Sequence, residues 1–341
     1  MRAAVFKERG RPLQIEQVAD PTPGPHDLIL RVRASGLCGT DLHLTEPGSA
    51  LPLPSGAILG HELAGEIVAA GALAAASFQV GERIAVLPHL CCGEASPCRN
   101  QGRRFSCSRM LTLGLGTAPG GYAEYVRISE GGAHRLPASI SFRHGALVEP
   151  LAVGRHAVDL ARLPPNATVL VLGAGPVGLA SVIFARLAGA RHVLVSEGVA
   201  YRRALARKFG ATAVVDPSQP LPAQLLDLAG EAPQGVFECV GAPGLLDLAM
   251  SVTAPGGKVV VVGVCQSRDS IRPLLGIARE LCIQFALAYG PADFDAVIAL
   301  LAAAQIDVAS LITDVVDLDG LPAAFEALRT PTHQCKVIVE P

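Results

Sequence analysis

The sequence predicts an α/β protein: a doubly wound parallel sheet joined to a second part made mainly of short β-strands. Three observations carry this. Beyond residue 150, short apolar runs alternate with segments of helical period, the pattern of parallel strands covered by helices. Before about residue 147, apolar runs are brief and broken by Gly and Pro, of which the chain holds 36 and 26. Half of the 341 residues are hydrophobic, yet only 4% are aromatic and none is Trp. The apolar mass is therefore Ala, Val and Leu, which suits strands buried on both faces under Ala-rich helices.

In chain order, the first part offers strands at 28–34, 62–69, 83–87 and 122–128. A helix over 151–163 and a Pro164-Pro165-Asn166 turn lead into the second part. There the strands fall at 168–172, 192–196, 213–215, 235–239 and 258–262, and the helices at 177–188, 201–209, 222–228 and 245–252. A strand at 282–287 would form the sheet edge. The tail reads as irregular apart from a helix at 294–303 and a strand at 336–339.

Composition excludes several function classes. With 28 Lys+Arg against 30 Asp+Glu, the net charge is −2, leaving no basic footprint for nucleic acid. The run from Ala167 to Ala185 is 19 uncharged residues, long enough to span a bilayer. Gly173, Gly175, Pro176 and Gly178 break it, and no second such run exists, so no membrane span is expected. The N-terminus carries Arg2, Lys7 and Glu8 where a signal peptide needs its apolar stretch. Nine cysteines, an odd number, argue against a disulfide framework. A cytoplasmic protein is expected, with its thiols serving as metal ligands or core.

Gly173-Ala174-Gly175-Pro176-Val177-Gly178 follows a predicted strand and opens a predicted helix. That context makes it a dinucleotide turn: the first Gly for the tight bend, the second for close approach of a pyrophosphate, the third for helix–strand packing. Free amides at the helix start meet the phosphates. Glu197 lies 19 residues past Gly178, where the fold presents a carboxylate to a ribose 2′-hydroxyl, favouring NAD over NADP. Arg202 and Arg203 lie close by and oppose that preference; Arg202 is alternatively a cover for the adenine.

Upstream, Cys38-Gly39-Thr40-Asp41-Leu42-His43 and Gly60-His61-Glu62 flank strands, and Glu149-Pro150 stands at the junction of the two parts. Thiolate, imidazole and carboxylate form a borderline-soft set suited to zinc, and three protein ligands leave a position open for water or substrate. The ligands are 23 and 88 residues apart, too far for a zinc-finger module and suited to loops meeting at a cleft.

In this order the chain carries C-G-T-D-x-H, G-H-E-x-x-G (Gly60 to Gly65), G-G-Y-A-E-Y (Gly120 to Tyr125), E-P-L-A-V-G (Glu149 to Gly154) and G-A-G-P-V-G. In these motifs it resembles the zinc-dependent medium-chain dehydrogenases, sorbitol and threonine dehydrogenase branch, over essentially its whole length. The resemblance implies a GroES-like catalytic domain from residues 1–152 and 288–341, and an NAD-binding Rossmann domain over 153–287. It implies that Cys38, His61 and Glu149 hold a catalytic zinc, Glu149 directly or through water, with Glu62 as a variable partner. Zinc with one thiolate and one carboxylate is neutral, and a neutral site acidifies a bound alcohol more than an anionic one. Glu62 is thus expected off the metal during hydride transfer. Thr40 matches the family's relay hydroxyl and His43 its relay imidazole, passing the alcohol proton by way of the nicotinamide ribose to solvent. Thr40 also suits a helix N-cap.

The family's second, structural zinc site is altered here. Against C-x2-C-x2-C-x7-C, the lobe supplies Cys91, Cys92, Cys98 and Cys107, with Ala95 in place of one ligand and the last gap one residue too long. Two readings stand: a structural zinc with Cys91 substituting, or a metal-free lobe with oxidisable thiols. Cys239, Cys265, Cys282 and Cys335 read as core. The expected activity is NAD- and zinc-dependent oxidation of a secondary alcohol such as a polyol, diol or hydroxy amino acid. The alternatives are an NADP(H)-dependent carbonyl reductase and a non-catalytic nucleotide-binding protein. The loop 44–59 holds a single acid, Glu46, and tilts the substrate toward neutral alcohols. The resemblance also implies a homo-oligomer, a tetramer or else a dimer, paired through the edge strand at 282–287.

Overall fold

A computed structural model describes residues 1–90 and 110–341; Cys91, Cys92, Cys98 and Cys107 lie outside the described residues. The chain divides into two compact units, Met1–Glu149 with Phe294–Pro341, and Pro150–Asp293.

The first unit runs through β1 (Arg2–Val5), β2 (Gln14–Gln17), β3 (Asp27–Gly36), α1 (Gly39–Thr45), β4 (Glu62–Ala70), β5 (Arg83–Val86), β6 (His89–Leu90), β7 (Leu111–Thr112), β8 (Tyr125–Ser129), β9 (Ala133–Arg135) and α2 (Phe142–Ala146). Helix α3 (Val148–Ala161) leads into the second unit. There β10 (Thr168–Leu172), α4 (Pro176–Leu187), β11 (His192–Ser196), α5 (Ala200–Lys208), β12 (Ala213–Val215), α6 (Leu221–Ala229), β13 (Gly235–Glu238), α7 (Leu245–Val252), β14 (Lys258–Val261), α8 (Pro273–Arg279) and β15 (Cys282–Phe285) follow in turn. Helix α9 (Pro291–Ala302) returns the chain to the first unit, which closes with β16 (Ile312–Val316), α10 (Leu321–Ala327) and β17 (Lys336–Val339).

In the first unit a mainly antiparallel sheet has the order β16-β17-β3-β4-β5-β9, with β8 also paired to β3. Alternate residues Leu28, Leu30 and Val32 of β3 pack with Leu63, Ile67, Ile84, Val126 and Ile128, the period-two burial of a strand with one apolar face. A second core gathers Phe6, Leu37, Leu44, Leu59, Tyr122, Phe325 and Val337. The tail is more regular than its sequence suggests. Val339 and Ile338 of β17 pair antiparallel with Ser35 and Gly36 of β3, and β16 runs parallel to β17. Tyr122 lies ahead of β8 rather than in a strand, its neighbour Ala123 bridging to Ala3 of β1 in the separate β1–β2 pair.

The second unit holds a wholly parallel sheet of order β12-β11-β10-β13-β14-β15. All five residues of β10 and all four of β13 are buried, which is why these strands read as unbroken apolar runs. The uncharged run from Ala167 to Ala185 is β10, the glycine turn and α4, and no helix among the described residues is long and apolar enough to cross a membrane. Two cysteines depart from expectation: Cys265 and Cys282 are exposed, while Cys335 is buried. Cys282 lies on β15, which has a strand neighbour on one side only. At the far boundary, Asp293 stays with the second unit because its carboxylate reaches Arg155 and His156 of α3 at 3.4 and 3.3 Å.

Candidate metal centre and nucleotide turn

Cys38, His61 and Glu62 each offer a ligand atom, all within 4.8 Å of one another. Antiparallel pairing produces this convergence. Gly36 at the end of β3 stands opposite Glu62 at the start of β4, so the residues just beyond each strand end fall together. A Cβ at Gly36 would displace the Glu62 carboxylate from the position it holds, so glycine here leaves that carboxylate its room. Among the described residues the trio fits a zinc ion in donor chemistry and in burial, with His61 and Glu62 buried and Cys38 half-buried. Glu149, buried in the first turn of α3, stands outside this trio.

Surrounding groups hold the trio in place. The Asp41 carboxylate, fully buried, accepts from the Cys38 backbone N–H at 3.3 Å and from the Tyr122 hydroxyl at 2.5 Å, both through Oδ2. Its Oδ1 lies 3.3 Å from His61 Nδ1, yet the pair lacks hydrogen-bonding geometry and both atoms are buried without a partner. An imidazole that binds a metal through one nitrogen and donates its other N–H to this carboxylate would use both groups. Burial opposes the His61 imidazolium, but Asp41 and Cys38 outweigh it and raise its pKa. Burial, with Asp41 adding to it, raises the Tyr122 pKa well above normal, so Tyr122 remains a phenol and a donor.

The Lys336 ammonium donates to Glu62 Oε1 and Oε2 at 2.7 and 2.6 Å and to the Leu37 carbonyl at 2.8 Å. Both partners are 1% exposed. Burial works against the ammonium, but Glu62, Cys38 and Glu149 raise its pKa overall. Asp41, Tyr122 and Lys336 are absent from the set read from sequence. Asp41 and Tyr122 sit inside motifs read for their neighbours, and Lys336 opens a strand that alone signals nothing.

Helix α1 carries the relay candidates. Its N-cap is Cys38, which overturns the reading of Thr40 as the cap; Thr40 lies within the first turn, half-buried. His43, one-third exposed, holds Nδ1 3.3 Å from Glu46 Oε1. Arg329 pins the end of this helix, donating to the Leu42 carbonyl and the Thr45 hydroxyl at 3.3 and 2.8 Å.

In the second unit each glycine of the turn plays a distinct part. Gly173 has φ +90°, a left-handed conformation, and a Cβ there would come within 2.6 Å of Val240. A Cβ on Gly178 would overlap the Gly173 carbonyl, so this glycine brings helix to strand. Gly175 instead faces open space, as a position meant for a phosphate should. Pro176 opens α4 at its first position and Val177 follows. Glu197, buried at the end of β11, accepts from the Ala174 and Val199 N–H groups, both at 2.8 Å. Arg203 donates to the Glu197 and Gly198 carbonyls and pairs with Asp216 at 3.1 Å. It is thus committed to the protein; Arg202 is half-buried.

Residues 24–138 match the alcohol dehydrogenase GroES-like domain, and residues 176–303 the zinc-binding dehydrogenase domain. A protein of Emericella nidulans named "Probable D-xylulose reductase A" is 32% identical over 314 residues, 90% of this chain and 87% of that one. The sorbitol dehydrogenase of Bacillus subtilis is 31% identical, over 100% of this chain and 97% of its own. A solved structure from Sinorhizobium meliloti, bound to NADP, superposes with a TM-score of 0.90 at 33% identity, covering 100% of this chain and 99% of that one.

Proposed function

The chain belongs to the zinc-dependent medium-chain alcohol dehydrogenase family, in its polyol dehydrogenase branch, and from that premise we propose that it oxidises a polyol or related secondary alcohol with NAD. The observation that carries this reading is the convergent trio Cys38, His61 and Glu62, the last two buried and the first half-buried, whose donors fit zinc. Cys38 and His61 would hold the metal, with Glu149 as third ligand directly or through water. When bound, zinc supplies a Lewis acid to the alcohol oxygen and the nicotinamide accepts the carbinol hydride.

The chain's own residues do the rest. Lys336 grips both oxygens of Glu62, so the second carboxylate is neutralised by its own cation, and zinc held by one thiolate and one carboxylate would leave the site neutral. Thr40 would take up the alcohol proton by a hydrogen bond, and His43, partly exposed beside Glu46, would exchange it with solvent. The open face at Gly175 and the amides that begin α4 would receive the pyrophosphate. Glu197 would accept from the ribose 2′-hydroxyl, a role that disfavours a 2′-phosphate. Arg203 is engaged by backbone carbonyls and Asp216; Arg202 beside it is the other basic residue near this position. The GroES-like part would carry catalysis and the parallel-sheet part the cofactor.

Assembly belongs to the same reading. Leu274, Ile277 and Phe285, on α8 and the edge strand β15, are 72%, 75% and 66% exposed, which supports a homotetramer, or a dimer, formed through that edge. Light scattering measures it; a monomer at working concentration contradicts it. A cytoplasmic location fits a site built on a free thiol. The deciding experiment for function is NAD and NADP reduction over sorbitol, xylitol, butanediol, threonine and inositols, with metal analysis on the same preparation. Turnover of polyols with NAD supports the reading, and turnover of none of them rejects it.

A further inference from the structure

We propose that Tyr122 is a positioning residue for the metal centre, acting through Asp41 on the orientation of His61 and Cys38. The proposal rests on the reading of Cys38, His61 and Glu62 as a metal site.

Two sets of contacts carry it. The first is packing. Gly121 and Tyr122 donate their N–H groups to the Gly60 and Leu59 carbonyls at 2.7 and 3.0 Å, and Gly120 donates to Ile58 at 2.9 Å. The segment ahead of β8 is thereby zipped to the loop that ends at His61. The Tyr122 ring lies over Gly60, where φ is +96° and a Cβ would come within 2.5 Å of the ring. Only glycine lets the ring approach this closely, immediately before a ligand.

The second is the hydroxyl. Tyr122 donates to Asp41 Oδ2, which also takes the Cys38 N–H. With Oδ2 occupied twice, the carboxylate is turned so that Oδ1 faces His61 Nδ1. One buried carboxylate therefore holds the Cys38 backbone and presents its free oxygen to His61, and the Tyr122 hydroxyl holds the carboxylate. Outer partners of this kind set a ligand ring's tautomer and orientation, and their loss weakens metal binding by roughly 10- to 100-fold.

The test is Tyr122→Phe, which keeps the ring over Gly60 and removes only the hydroxyl. The readouts are the cobalt(II) dissociation constant and the visible spectrum of the cobalt-loaded protein, using the band that Cys38→Ser abolishes. The expected result is cobalt affinity lower by roughly 10-fold or more and a shifted band. The KM for NAD should stay unchanged, and the double variant with Asp41→Asn should bind cobalt no worse than Asp41→Asn alone. Placing 3-fluorotyrosine at position 122 restores the donor and should restore the affinity, which keeps the test usable if the Phe variant folds poorly. Normal cobalt binding and an unshifted band in Tyr122→Phe, or effects that multiply in the double variant, would overturn the role. Wild-type protein lacking that band would overturn the metal reading itself and this role with it.

Discussion

The two units prepare their sites by different means. The nucleotide turn is a matter of backbone: a left-handed Gly173, an open Gly175 and a Gly178 that brings helix to strand, all within six consecutive residues. The metal centre is a matter of side chains drawn from distant places, with Cys38, Asp41, His61, Glu62, Tyr122 and Lys336 joined by hydrogen bonds and charge. A site made by local geometry tolerates change elsewhere in its unit. One assembled from buried polar contacts depends on each of them, because an unpaired buried charge or donor is costly.

The largest effect should come from Lys336→Met. It leaves the Glu62 carboxylate buried and uncompensated, at a cost of about 3–5 kcal/mol. Urea unfolding of the metal-free protein measures it, and Glu62→Gln in the same chain should recover much of the loss. NADH binding, read by fluorescence, should be unchanged. Gly178→Ala attacks the other unit. Overpacking against the Gly173 carbonyl should cost about 1–3 kcal/mol and weaken NADH binding, while zinc content stays at the wild-type level. Loss of zinc in this variant would break the proposed independence of the two sites.

Smaller effects sharpen the picture within the second unit. Glu197→Gln should lower the preference for NAD over NADP by about tenfold, measured as a ratio of kcat/KM values. Asp293→Asn should cost about 1 kcal/mol at neutral pH, a modest figure because its partners are partly solvated. Burial raises the Asp293 pKa, but the His156 and Gly290 hydrogen bonds, with the nearby His156 and Arg155 charges, bring it below normal. Its contribution is therefore full above the ordinary carboxylate range and fades as pH falls through the folded value. Urea midpoints of wild type and variant should converge in acid; a constant gap would contradict the assignment.

The same contrast governs what could be read from sequence. Strands β10, β11 and β12 fall on the residues expected, 168–172, 192–196 and 213–215, because burial on both faces forces continuous apolar runs. Cys38, His61 and Glu62 were legible as ligand types inside motifs, and the structure brings them together. Asp41, Tyr122 and Lys336 were not, since what matters about them is a contact made across 81 residues from Asp41 to Tyr122 and 274 from Glu62 to Lys336. The short β1–β2 hairpin and β16 are not legible in the sequence for a similar reason. Gln14–Gln17 and Ile312–Val316 carry too little alternation to declare a strand, and their partners across the sheet define them.

The central claim is metal-dependent polyol oxidation at Cys38, His61 and their neighbours. It is tested most directly by stripping the protein with a chelator and following NADH formation from sorbitol or xylitol as zinc is returned, with Cys38→Ser in parallel. The account predicts that activity vanishes on stripping, returns in proportion to zinc in the wild type, and stays absent in Cys38→Ser. Turnover in the metal-free protein, or in Cys38→Ser at the wild-type rate, would contradict it.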